Sequence, residues 1–216
     1  MRNFQSALVV AGALAFATTG ASAAIVSVND PIGVTGDVGS GPAAIISAPA
    51  KVLEDTVTNT AMQGFDEAQN VTLTSAISTD TGTIAAGTFV SSHMIFLNTD
   101  GLNQAEHRGV EWTFSNRIIG VISGNDGADE VASTPQLGGP NTDYPLAPFD
   151  NRGFEPGQDE YTIIAPNTIR VGMFVTEPGD WMRVVTAAIP LPAAFPLLGG
   201  ALALLGVAGL RRRNKS

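Results

Sequence analysis

Four groups of acidic residues stand close enough along the chain to share a hard cation. They are Asn125-Asp126 with Asp129-Glu130, Asp66-Glu67, Asp143 with Asp150, and Glu155 with Asp159-Glu160. Calcium takes roughly six to eight oxygen ligands, and carboxylates and amide carbonyls from loops supply them. The segment 124–130 has the right ligand types but neither the EF-hand spacing nor a Gly-rich nonapeptide repeat. Calcium is thus an optional ligand at Asn125, Asp126, Asp129 and Glu130, with a solvated acidic loop as the plain alternative, and no cofactor is required. Paired carboxylates can also hydrolyse glycosides, one as acid and the other as nucleophile or base. Glu106, Glu111, Glu155 and Glu160 are available, but nothing in their order fixes a pair at a working separation.

Other chemistry has less support. His93 and His107 lie 14 residues apart without an HExxH frame, so zinc has no ligand set. His93 falls within a strand-like run and reads as a hydrogen-bonded core residue. His107 falls in the polar stretch 103–108 and reads as exposed. The chain has no cysteine, which excludes disulfides, thiolate metal sites and thiol nucleophiles. There is no GxSxG elbow, no P-loop and no GxGxxG after a strand. The expected activity is therefore non-catalytic. Aromatic faces can stack on sugar rings, and Tyr144, Phe149 and Trp181 are the candidates for a glycan platform. The competing reading is that Tyr144 and Phe149 staple a long loop to the domain. Trp112 alternates with polar residues and reads as core.

The elements that would hold these residues emerge once the chain is divided. It has 216 residues, 11 Lys+Arg against 20 Asp+Glu, and a formal charge of −9. An acidic balance argues against a nucleic-acid partner, which calls for a basic face. Residues 1–23 have the order of a secretory signal peptide: Arg2, an uncharged apolar run over 7–17, then Ala21-Ser22-Ala23 as the small-x-small cleavage pattern. An 11-residue run is about 16 Å long as a helix, short for a hydrocarbon core of about 30 Å. Signal peptidase is the implied partner.

Residues 187–210 carry no charge, and Arg211, Arg212, Arg213 and Lys215 follow at once. A helix over 192–210 would be about 28 Å long, enough to span a bilayer, with the basic cluster held on the cytoplasmic side. Three features combine here: Ile189-Pro190-Leu191-Pro192-Ala193, an apolar helix, and a terminal Arg cluster. Together they resemble the VPLPA-type sorting signal, a variant of the PEP-CTERM class of Gram-negative bacteria, with Ile where that family usually has Val. The resemblance covers residues 187–216. It implies that an exosortase, a membrane protease-transpeptidase, acts near the motif and that the chain crosses the inner membrane transiently. It also implies delivery to the cell surface or extracellular matrix, where exopolysaccharide is a further candidate partner. A plain single-pass anchor is the alternative.

Residues 24–186 remain as one exported domain. They hold all 20 acidic residues and six basic ones, a balance of −14. Alternation at 111–115 and 71–77, a long apolar run at 88–97 with both faces covered, and β-branched runs at 118–122, 161–164, 168–175 and 181–186 read as strands. Turn signals separate them at Thr81-Gly82, Asn116-Arg117, Pro166-Asn167 and Glu177-Pro178-Gly179-Asp180. The stretch 124–152 has no periodicity and reads as one long loop. Residues 54–62 fit a strand better than a helix. The expected fold is all-β, an antiparallel sandwich of which a jelly roll is one form, flanked by an N-terminal signal helix and a C-terminal transmembrane helix. The leading function is a surface or matrix protein. A calcium-assisted glycan-binding module and, behind it, a polysaccharide hydrolase are the alternatives.

Overall fold

A computed structural model describes residues 23–37, 41–53, 56–101 and 103–188. In chain order the first strands are β1 (Ile25–Asn29), β2 (Val34–Gly36), β3 (Ala44–Ile45), β4 (Gln63–Asp66) and β5 (Val71–Thr72). Then come β6 (Ile77–Thr79), β7 (Gly82–Ile84), β8 (Phe89–Leu97), β9 (Ala105–Phe114) and β10 (Ile118–Ile122). Helix α1 (Ala128–Leu137) precedes β11 (Glu160–Ala165), β12 (Thr168–Val175) and β13 (Asp180–Ala187). The protein is all-β in character, with antiparallel pairing apart from the short parallel pair of β3 and β4.

Two sheets carry most of the strands. The first runs β1-β9-β12-β11, with β2 also on β9. The second runs β10-β13-β8-β4-β3, with β5 also on β8, and β6 and β7 form a separate hairpin. A sandwich-like core lies between the two sheets. Val110, Trp112 and Phe114 of β9 and Ile169, Val171 and Met173 of β12 meet Ile95 and Leu97 of β8 and Met182 and Val184 of β13. Gly64 makes the fit possible, because a Cβ there would sit 2.7 Å from Trp112 Cζ3.

The period of two in a strand explains a third layer. Every residue of β8 after Phe89, and every residue of β13 before Ala187, is buried. Ile95 and Leu97 point at the first sheet, so Val90, Met94 and Phe96 point away from it and need cover of their own. The β6–β7 hairpin and Leu137 of α1 cover one part of that outer face, beside Val90 and Val185. Val52 and Tyr144 cover another part, beside Met94, Phe96 and Trp181.

Most expected strands form within a residue or two of their sequence bounds, but three expectations change. The stretch 124–152 is not one loop, because α1 lies within it. Gly127 enters the helix at φ 65°, where a Cβ would also press on Arg152 Cγ at 2.8 Å. The Asp126 side chain accepts the Ala128 N–H, and Asp129 and Glu130 sit in the first turn, where the helix dipole favours carboxylates. The run 71–77 is broken into β5 and the start of β6, because Gln136 Oε1 of α1 accepts the N–H groups of Thr74 and Ser75. The described part of 54–62 forms neither strand nor helix; β4 begins at Gln63.

Among the described residues no helix is long and apolar enough to cross a membrane. The expected leader and transmembrane segments lie outside those residues, except for Ala23, Ala187 and Ala188. Ala21, Ile189, Pro190, Leu191, Pro192, Ala193, Arg211, Arg212, Arg213 and Lys215 are therefore outside them as well. Ala23 is buried, and the neighbouring Ala24 N–H donates to Ser115 Oγ at 2.9 Å.

Candidate functional site

The strand ends bring one group of acids together. β12 ends in the first sheet and β13 begins in the second, so residues 176–179 cross from sheet to sheet. The loop before β11 returns to the same end of the molecule. Among the described residues, Glu155, Asp159 and Asp180 are the group of three or more His, Asp or Glu whose ligand atoms lie within 4.8 Å of one another. Asp180 is the first residue of β13, pairs in register with Leu97, and is 1% exposed. Its Oδ2 is buried without a hydrogen-bond partner among the described residues. Asp159 is fixed by the backbone: Oδ2 accepts the Glu155 N–H at 2.7 Å and Oδ1 the Phe174 N–H at 2.8 Å.

Electrostatics follow from this crowding. Burial first, then the charges of Asp159 and Glu155, push the Asp180 carboxyl up to about 11. Burial and Asp159 push Glu155 up to about 7. Glu155 and Asp180 border a polar cleft of about 260 Å³, which Asn151, Gln158 and Thr176 also line. The set supplies oxygen donors alone and so suits a hard divalent cation.

The segment 124–130 does not form such a cluster. Glu130 is buried, and both its oxygens take Arg152 in a bidentate pair at 2.8 and 2.9 Å. Asp126 Oδ1 caps the Ala128 N–H, and Asp129 lies exposed on the first turn of α1. Asn125 Oδ1 is buried without a partner, but the carboxylates expected beside it are committed elsewhere or turned to solvent. The expected cation ligands Asn125, Asp126, Asp129 and Glu130 are thus replaced by a helix start and an ion pair. Of the four groups read from the sequence, Glu155 with Asp159 comes nearest to the observed cluster. It lacked Asp180, which had looked like part of a turn.

The glycan platform is also covered. Trp181 is 2% exposed, stacked on Phe96 at 4.3 Å between centroids and capped by the Arg152 guanidinium 3.9 Å over its ring. Tyr144 is buried and its hydroxyl accepts the Gly139 N–H at 2.8 Å. Phe149 is half-buried, 5.6 Å from the Arg152 guanidinium. Tyr144 and Phe149 therefore staple the segment after α1 to the domain.

Both histidines are structural. His93 is buried, with Nδ1 2.7 Å from Asp66 and Nε2 3.0 Å from Thr186. His107, expected at the surface, is instead fully buried within β9, which extends back through the polar stretch past a bulge at Arg108-Gly109 that reverses its inward face. Its Nδ1 accepts the Met62 N–H, so the ring proton sits on Nε2 and is donated to Asp30 Oδ2 at 2.8 Å. Of the glutamates considered for hydrolysis, Glu106 pairs with Arg108 and Glu111 with Arg170 on the outer face of β9. Compared with known protein families, with curated proteins and with solved structures, the chain matches none.

Proposed function

We propose that the chain is an exported, non-catalytic protein of the bacterial cell surface or extracellular matrix, processed by signal peptidase and then by an exosortase at 189–193. One observation carries the reading. The last strand ends at Ala187, Ala188 is still tied by its N–H to the Phe89 carbonyl, and the sorting motif begins at the next residue. Domain and signal therefore meet without a linker, as a folded cargo followed by a removable address would. The tripartite tail supports sorting over a plain anchor. The structural pairing of His93 and His107 supports a role without catalysis. A jelly-roll form of the sandwich belongs to the same reading.

Replacing Pro190-Leu191-Pro192 by alanines tests it. The variant should accumulate uncleaved in the inner membrane, while the wild-type chain reaches the surface or medium. Equal partition of the two would contradict exosortase recognition.

A glycan-binding role would have to use a surface other than Tyr144 and Trp181. A hydrolase built on Glu155 would have Asp180 beside it, which is 1% exposed and cannot meet a sugar ring, and Glu160 lies exposed at the start of β11. Both oxygens of Asp159 already accept backbone N–H groups. A glycan array and a polysaccharide turnover panel separate these alternatives from the leading reading.

A further inference from the structure

We propose that Glu155, Asp159 and Asp180 bind a calcium ion that locks the loop before β11 to the crossing between the two sheets. Three carboxylates from separate parts of the chain place ligand atoms within 4.8 Å of one another. The second observation is independent of that proximity. Asp180 is 1% exposed, borders the cleft, and keeps a buried Oδ2 without a partner among the described residues. A buried carboxyl oxygen left unpaired is destabilising unless something neutralises it.

Among the described residues no lysine or arginine lines the cleft. Arg108, Arg152, Arg170 and Arg183 pair with Glu106, Glu130, Glu111 and Glu67 respectively. Lys51 and Arg117 do not line the cleft. A divalent cation removes the mutual repulsion of the acids, and Asp159 retains lone pairs after taking its two N–H groups. Magnesium usually keeps several waters and takes one or two carboxylates, whereas calcium accepts more oxygens in a flexible shell. Three clustered carboxylates, two of them on a cleft that Asn151 and Gln158 also line, fit calcium better. The proposal does not depend on how the chain is exported or sorted.

Calorimetric titration of the purified full chain in detergent with calcium chloride, in chelator-treated buffer, tests the site. One ion should bind per chain and raise the melting temperature, with magnesium chloride weaker by about tenfold or more. Asp180→Asn and Glu155→Gln should each weaken calcium binding by at least about tenfold. Asp129→Asn, on the exposed first turn of α1, should leave it unchanged. Asp180→Asn should melt no lower than the wild type without calcium, because it removes the buried unpaired acid, so lost binding cannot be lost folding. Absence of calcium heat with an unmoved melting temperature, or wild-type affinity in Asp180→Asn, would overturn the site. Equal affinity for magnesium would overturn the choice of calcium.

Discussion

Glu67 and Arg183, 116 residues apart, meet through two hydrogen bonds of 2.7 and 2.8 Å with both side chains fully buried. Arg183 lies on the outer face of β13, where parity alternates it with the core residues Met182 and Val184. Its remaining donors go to α1: Nη1 reaches the Glu130 carbonyl and Ser133 Oγ, and Nη2 reaches Thr134 Oγ1. All five guanidinium donors are therefore used. Glu130 then takes Arg152, which lies over Trp181. This buried chain of charges fixes the helix on the second sheet.

Breaking one end of it leaves an uncompensated buried charge. Glu67→Gln or Arg183→Met should destabilise the fold by about 3–5 kcal/mol. The double variant should lose less than the two single losses combined, because neither charge is then left alone. Denaturant unfolding of all three chains measures this, and simple additivity would show that the pair is not coupled.

Acid should weaken the pairing of Asp30 with His107 and the Ala43 and Gly33 N–H groups. Burial would raise the Asp30 carboxyl, but the Ala43 and Gly33 N–H groups and then His107 outweigh it and hold Asp30 below its ordinary value. A depressed carboxyl contributes stability that is present above its unfolded value near 3.8 and is lost as pH falls through its lower folded value. Melting temperature should thus drop as pH is taken below about 4. Asp30→Asn should be less stable at neutral pH by about 2 kcal/mol, through loss of charge-assisted bonds, and should show a flatter acid limb. A limb as steep as in the wild type would assign acid sensitivity to other groups.

Close packing between the sheets should be intolerant of added volume. A methyl at position 64 meets Trp112 Cζ3 at 2.7 Å, with Ile25 Cδ1 at 3.2 Å. Gly64→Ala should therefore destabilise by about 1–3 kcal/mol, and Gly64→Ala with Trp112→Leu should recover part of that loss relative to Trp112→Leu alone. Thermal melts read both effects, and a neutral Gly64→Ala would mean that the sheets can separate slightly without loss.

Strand positions were legible in the sequence from alternation, as at 111–115 in β9, or from unbroken apolar and β-branched runs where both faces are covered. The run 88–97, read as covered on both faces, is β8, and Thr168–Val175 is β12. Helix α1 was not legible, because its buried face is Glu130, Ser133 and Leu137, in which a single apolar residue beside two polar ones that meet Arg183 leaves no apolar stripe. His107 was misplaced for a related reason. Its neighbours Glu106 and Arg108 face outward and made the segment look like a connection, and the imidazole turns inside only because a bulge at Arg108-Gly109, with Gly109 at φ 72°, reverses the parity set by Val110, Trp112 and Phe114. Of the acidic cluster, Glu155 and Asp159 are close in sequence and visible as a pair. Asp180 joins them only through the crossing between sheets, which no local spacing encodes.

Export and sorting by the tail form the central claim, and intact-mass spectrometry of the chain recovered from producing cells tests them most directly. The account predicts a surface or medium species that begins near Ala24 and has lost everything beyond the 189–193 motif. A chain recovered from the inner membrane still ending at Ser216, with none released, would contradict it.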